Sequence, residues 1–156
     1  MPVEIERKFL LKNDRWRKLV SRQQPIVQGY IANTERGSVR IRLIGDEAFL
    51  SIKSMTLGVT RTEFEYPIPV IDAEYILHHL CLRPIIEKTR YYVEQDHHIW
   101  EIDVFAGDNA GLVVAEIELS AADEDFHKPD WLGAEVSNDS RYYNVKLIEH
   151  PYRLWR

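Results

Sequence analysis

The chain has 156 residues, 29% of them charged and 45% hydrophobic, with a formal net charge of −5. Such a chain is long enough for one domain, residues 1–156, with its own core, and its composition excludes a disordered segment or a membrane protein. The longest apolar runs fall far short of the roughly 20 residues of a spanning helix, and the acidic balance argues against general attraction to nucleic acid.

The chain opens on Val3-Glu4-Ile5-Glu6-Arg7-Lys8-Phe9-Leu10. At the period of a strand, Glu4, Glu6 and Lys8 share one face, and Val3, Ile5 and Phe9 the other. These charges also occupy the place where a signal peptide would be apolar, so none is expected. Asn13 or Asp14 is then expected to cap a short helix with Trp16, Leu19 and Val20 on one side. Pro25 opens a strand over 26–32 with Gln28 and Tyr30 in phase, and a turn follows over 33–37. Strands are expected over 39–43, with Arg40 and Arg42 together, and over 49–55, with Ser51 and Lys53 together. The next, over 60–68, sets Arg61, Glu63 and Glu65 against Thr62, Phe64 and Tyr66, and prolines end it.

Asp72 is expected to cap a helix whose Ile76, Leu77 and Leu80 form an apolar stripe, with His78 and His79 at its surface. The lone Cys81, between two leucines, reads as a buried inert thiol and fits a reducing cytoplasm. Residues 85–95 form a strand with Lys88 and Arg90 in phase, Asp96-His97-His98 a hairpin turn, and 99–105 a strand carrying Glu101 and Asp103. After a Gly/Asn/Asp turn, residues 112–120 carry Glu116 and Glu118. The tail ends in an expected helix over 139–149, capped by Ser137 or Asp139 and stopped by Pro151. About eight short strands in hairpin order make an antiparallel sheet, which at that number can close into a barrel.

Two arrangements satisfy these faces. An open sheet would turn its charges to water, the cheaper solution because solvated charges carry no desolvation cost. A closed sheet would turn them inward, with helices or a second subunit over the apolar exterior; that exterior suggests a homodimer. Clustering speaks for a site. Like charges two residues apart on one face repel, yet arginines and lysines grouped this way suit phosphate oxygens. Paired carboxylates suit Mg²⁺ or Mn²⁺. No Walker loop, Rossmann glycine pattern, zinc spacing or Gly-x-Ser-x-Gly occurs, and surface roles suit His97 and His98 better than metal binding.

In this order the segments resemble the CYTH superfamily, or triphosphate tunnel metalloenzymes. Glu4-Ile5-Glu6-Arg7-Lys8 is similar to its Glu-x-Glu-x-Lys signature. The resemblance continues through Arg40 and Arg42, Lys53, Glu63 and Glu65, Lys88 and Arg90, Glu101 and Asp103, Glu116 and Glu118, and Trp131-Leu132-Gly133-Ala134-Glu135-Val136. It implies a mainly β (α+β) fold, a closed eight-stranded antiparallel tunnel with a charged lumen and a few flanking helices. It further implies that Arg40, Arg42, Lys53, Lys88 and Arg90 hold a triphosphate. Lys146 would reach the substrate at one mouth. Glu4, Glu6, Asp103, Glu116 and Glu118, assisted by Glu63 or Glu65, would hold the metal. Lys8, among carboxylates, reads as a group that orients water or stabilises charge rather than a base, paired with Tyr30. Arg61 has no counterpart.

The short single-domain form is most similar to bacterial inorganic triphosphatase-type members, so the expected reaction is metal-dependent hydrolysis of tripolyphosphate. Adenylate cyclase or nucleoside triphosphatase activity would need a base pocket. Thiamine triphosphatase activity would use a stacking Trp such as Trp16 or Trp131. A non-catalytic polyphosphate-binding module is the alternative from another class.

Overall fold

The structure is a computed structural model that describes residues 3–155. The strands are β1 (Val3–Leu11), β2 (Arg22–Asn33), β3 (Gly37–Ile44), β4 (Glu47–Ser54), β5 (Thr60–Pro67), β6 (Ile86–Gln95), β7 (His98–Phe105), β8 (Val113–Glu118) and β9 (Leu132–Glu135). Two α-helices join them, α1 (Val70–His79) and α2 (Asn144–Leu147). The first eight strands run in the order β5-β4-β3-β2-β6-β7-β8-β1, and pairing of β1 with β5 closes the ring. Every pairing is antiparallel.

Register decides which face looks inward, because directly opposed residues share a face. Glu4 stands opposite Arg61, Lys53 opposite Glu63, and Arg40 opposite both Ser51 and Tyr30. Arg90 stands opposite Asp103, Glu101 opposite Glu116, and Glu116 opposite Lys8. The charged faces therefore meet around the ring, and they face the lumen. The open sheet is excluded by the β1–β5 closure.

The outward faces are apolar and covered in two places. Trp16, on a 3₁₀ turn at Arg15–Leu19, packs with Phe9, Trp100, Ile117 and Trp131 over β1, β7 and β8. Ala73 and Leu77 of α1 cover Ile41 and Ala48 on β3 and β4. A third cluster lies at one end of the lumen. There Ile86, Phe105 and Val114 meet Tyr143, Val145, Leu147 and Ile148, so the C-terminal segment plugs the barrel where its inner face turns apolar.

Several expectations need correction. The tail helix is not continuous: a 3₁₀ turn at Ser140–Tyr142 and the four-residue α2 replace it, because Tyr143 at their junction is extended. Asp139 caps the 3₁₀ turn by accepting from Arg141 N, whereas Ser137 Oγ accepts from Lys8 N. The N-cap of α1 is Pro69, with Asp72 already in the first turn, and Leu80 ends the helix exposed instead of joining its stripe. The short first helix is a 3₁₀ turn; Asn13 Oδ1 accepts from Arg15 N, and Asp14 makes no cap bond. β9 is an added ninth strand, held on β1 beyond the reach of β5.

Candidate active site

The lumen contains a cavity of about 250 Å³. Its cations are Lys8 from β1, Arg40 and Arg42 from β3, Lys53 from β4, Arg61 from β5, and Lys88 and Arg90 from β6. Its carboxylates are Glu4 and Glu6 from β1, Glu63 and Glu65 from β5, Glu101 from β7, and Glu116 and Glu118 from β8. Tyr30, Tyr143 and Asn144 also line it. Seven cations thus balance seven carboxylates on the wall.

The two sets are not evenly paired. Lys53 Nζ donates to Glu4 at 3.0 Å and lies 3.3 Å from Glu63. Burial would lower the Lys53 pKa, but the charges of Glu6, Glu4 and Glu63 outweigh it and hold the ammonium charged. Arg40 lies 3.8 Å from both Glu63 and Glu65. By contrast Arg42 has no carboxylate partner among the described residues; its Nε donates to Gln28 Oε1 at 2.8 Å. Burial, together with Arg40 and Arg90 nearby, pulls Arg42 down to about 10. Arg61 also has no carboxylate partner among the described residues: its guanidinium stacks 4.3 Å from the Tyr143 ring centre, and its buried Nε has no acceptor.

Asp103 stands behind the wall. Lys88 Nζ donates to its Oδ2 at 2.7 Å, while Arg90 grips both oxygens at 2.8 and 2.9 Å. Burial would raise this carboxyl, but Arg90 and Lys88 overcome that and hold it at about 2. Lys88 is pulled the other way, to about 7, by burial, with Arg90 and Arg42 adding to it against Asp103. These directions conflict across one short contact. The contact itself favours the ion pair, so Asp103 is a firm carboxylate and Lys88 the softer partner, which an added anion would hold charged.

The remaining carboxylates are poorly neutralised. Among the described residues Glu6 and Glu118, directly opposed on β1 and β8, have no ion-pair partner, and Glu116 has only Lys8 at 3.8 Å. Burial first, and then Glu4, Glu6 and Glu63, push the Glu118 carboxyl up. Crowded, unpaired carboxylates of this kind fit a divalent cation. Among the described residues no three of them converge closely enough to chelate an ion alone. Phosphate oxygens and water would complete the shell, as magnesium-type ions prefer.

A family model described as the CYTH domain matches residues 2–152. The chain belongs to the CYTH family. It is 44% identical to an inorganic triphosphatase of Acetivibrio thermocellus over 98% of this chain and 97% of that protein. Identity to the inorganic triphosphatase of Nitrosomonas europaea is 37%, over 92% of this chain and 95% of that protein. A crystal structure of an inorganic triphosphatase superposes with a TM-score of 0.66 at 34% identity, covering 95% of each chain.

Of the residues singled out from the sequence, this CYTH barrel brings Glu4, Glu6, Lys8, Tyr30, Arg40, Arg42, Lys53, Glu63, Glu65, Lys88, Arg90, Glu116 and Glu118 to one cavity. Two it does not. Asp103 is buried behind Lys88 and Arg90, with both oxygens taken, and is no free metal ligand. Lys146 points away, 38% exposed and 3.8 Å from Glu149, because α2 turns its Val145 and Leu147 inward. Sequence reading left out Glu101 and Arg61 as site residues, although both share a strand face with residues it chose. It also missed Tyr143 and Asn144, which no strand period could place. His98 bonds Glu124, away from the cavity, and Trp16 and Trp131 are core residues.

Proposed function

We propose that the chain hydrolyses inorganic triphosphate to pyrophosphate and phosphate within this cavity, with Mg²⁺ or Mn²⁺ as the cofactor. The observation that carries this reading is the separation of two charge sets in one chamber: cations without carboxylates beside carboxylates without cations. The first set suits phosphate oxygens, and the second suits a metal. The names of two relatives of nearly full length, both inorganic triphosphatases, support the same reaction.

Arg42, Lys88, Arg90, Arg40, Lys53 and Arg61 bind the phosphate chain, and Glu6, Glu116 and Glu118 hold the metal. The metal, when bound, supplies a Lewis acid that neutralises charge on the phosphate oxygens. Asp103 fixes Lys88 and Arg90 as a pair, so that they meet the substrate without reorganising. The cations hold the terminal phosphoryl group in line with a water, which attacks phosphorus as the bridging P–O bond to the pyrophosphate leaving group breaks. Lys8, whose Nζ donates to the carbonyl of Tyr142 at 2.9 Å, orients that water or stabilises its developing charge, and Tyr30 lines the same cavity from β2. Lys8→Ala is therefore expected to cut kcat about a hundredfold while tripolyphosphate affinity changes little. Equal losses in kcat and affinity would contradict this role.

A nucleotide base finds little purchase here. The wall is almost wholly polar, and the Tyr143 ring already faces Arg61 at 4.3 Å and Lys8 at 5.6 Å. Phosphorus NMR of products decides among the alternatives. Pyrophosphate and phosphate from tripolyphosphate, at a rate above that with ATP or thiamine triphosphate, is the expected result. Cyclic AMP from ATP would favour a cyclase, and tight binding without any product a polyphosphate-binding module.

A further inference from the structure

Cations on two strands of the cavity wall, β3 and β6, share one hydrogen-bond chain. Arg42 Nε donates to Gln28 Oε1 at 2.8 Å, and Gln28 Nε2 donates to Asn144 Oδ1 at 2.9 Å. Lys88 Nζ donates to that same Asn144 oxygen at 2.8 Å and to Asp103 at 2.7 Å, where Arg90 also ends. The orientation of both amides is fixed by chemistry. An ammonium and a guanidinium can only donate. Lys88 therefore demands the oxygen of Asn144, Arg42 demands the oxygen of Gln28, and the Gln28 amine is left to join them. Turning either amide would set donor against donor.

We propose that Asn144 is a positioning residue for the phosphate-binding cations, acting through Lys88 and, by way of Gln28, through Arg42. The inference rests on the triphosphate reading above. Gln28 is fully buried on β2, with its oxygen on Arg42 and its amine on Asn144, and the Asn144 oxygen is what joins it to Lys88. Asn144 arrives from outside the ring of strands, on the segment that plugs the lumen. Its neutral acceptor has a clear advantage over a carboxylate: it fixes the ammonium without cancelling the charge the substrate needs. The C-terminal plug thereby does more than close an end. It sets the spacing between a cation of β3 and one of β6.

The test is a cycle of variants read by calorimetric binding of tripolyphosphate in EDTA, so that no metal and no turnover is involved. Asn144→Ala is expected to weaken binding about tenfold, as loss of a hydrogen bond to a charged group would. Lys88→Met should weaken it at least as much. The double variant should lose far less affinity than the product of the two single losses, because Asn144 works mainly through Lys88 and only its part through Gln28 and Arg42 remains. A merely structural role would multiply the two losses. Wild-type affinity in Asn144→Ala, or multiplied losses in the double variant, overturns the proposal. Asn144→Leu, of similar volume and without the acceptor, gives the same reading if the alanine variant does not fold. Wild-type protein that neither binds tripolyphosphate in EDTA nor hydrolyses it with Mg²⁺ or Mn²⁺ would overturn the functional reading and this inference with it. Where binding needs the metal, KM values read the same cycle, and multiplied losses on an active wild type overturn the inference alone.

Discussion

Asp103 and Arg61 illustrate opposite uses of a charged side chain in the same lumen. Asp103 is fully buried and held by two cations, and its carboxyl lies at about 2, below the ordinary 3.8. A depressed carboxyl stabilises the fold above its unfolded value and loses that contribution as pH falls through the folded one. Asp103→Asn is thus expected to cost about 3 kcal/mol or more at pH 7, as for a broken buried pair. The gap to wild type should close as pH falls towards about 2; denaturant titration at several pH values checks this, and a gap independent of pH would contradict it. Arg61 has no such partner among the described residues, only the Tyr143 ring. Its N–H groups are left for substrate, so Arg61→Ala should raise KM for tripolyphosphate about tenfold, with kcat changed less than about threefold. A loss confined to kcat would contradict a binding role.

At the scale of elements, β1 carries the most. One of its edges pairs with β8, and the other is divided between β5 near its start and β9 near its end. β9 lies close enough that a Cβ on Gly133 would stand 2.9 Å from the Leu10 carbonyl oxygen. Backbone cannot yield there as a flexible side chain would. Gly133→Ala should therefore lower stability by about 1–3 kcal/mol, and a thermal melt at wild-type temperature would contradict the tight β1–β9 contact. The same strand shows why much of the site could be read from sequence. Period two in Glu4, Glu6 and Lys8 survives intact into the lumen, as it does in Arg40 and Arg42 or Glu116 and Glu118, because each strand has one face in and one face out. What could not be read lacks that period. β9 is four residues long and depends on β1 for its pairing. Tyr143 and Asn144 enter the cavity from a segment broken by the extended Tyr143. Asp103 has the right phase, but its depth behind Lys88 and Arg90 is a matter of packing that alternation does not contain.

For the whole molecule the consequence is an inverted barrel. Charges line the interior, and the apolar residues of an ordinary core are divided between two outer covers and one end plug. Strand pattern alone left an open sheet as the cheaper arrangement; the family resemblance pointed to the closed barrel, and the β1–β5 pairing, between residues well separated in the chain, excludes the open one. Among the described residues no helix is long and apolar enough to cross a membrane. Ile52, Phe64 and Tyr66 stay largely uncovered on β4 and β5. The homodimer expected from the sequence would use this strip; light scattering should then give twice the chain mass, falling to one chain in Phe64→Glu, and a monomeric wild type would contradict it.

On the triphosphatase reading, the unpaired carboxylates and the unpaired cations serve one reaction. Its most direct test is the initial rate of phosphate release from tripolyphosphate with Mg²⁺ or Mn²⁺, beside EDTA and Glu6→Gln controls. Fast release lost in both controls is the result expected. Release that persists in EDTA, or that Glu6→Gln leaves unchanged, would contradict a metal held by these carboxylates.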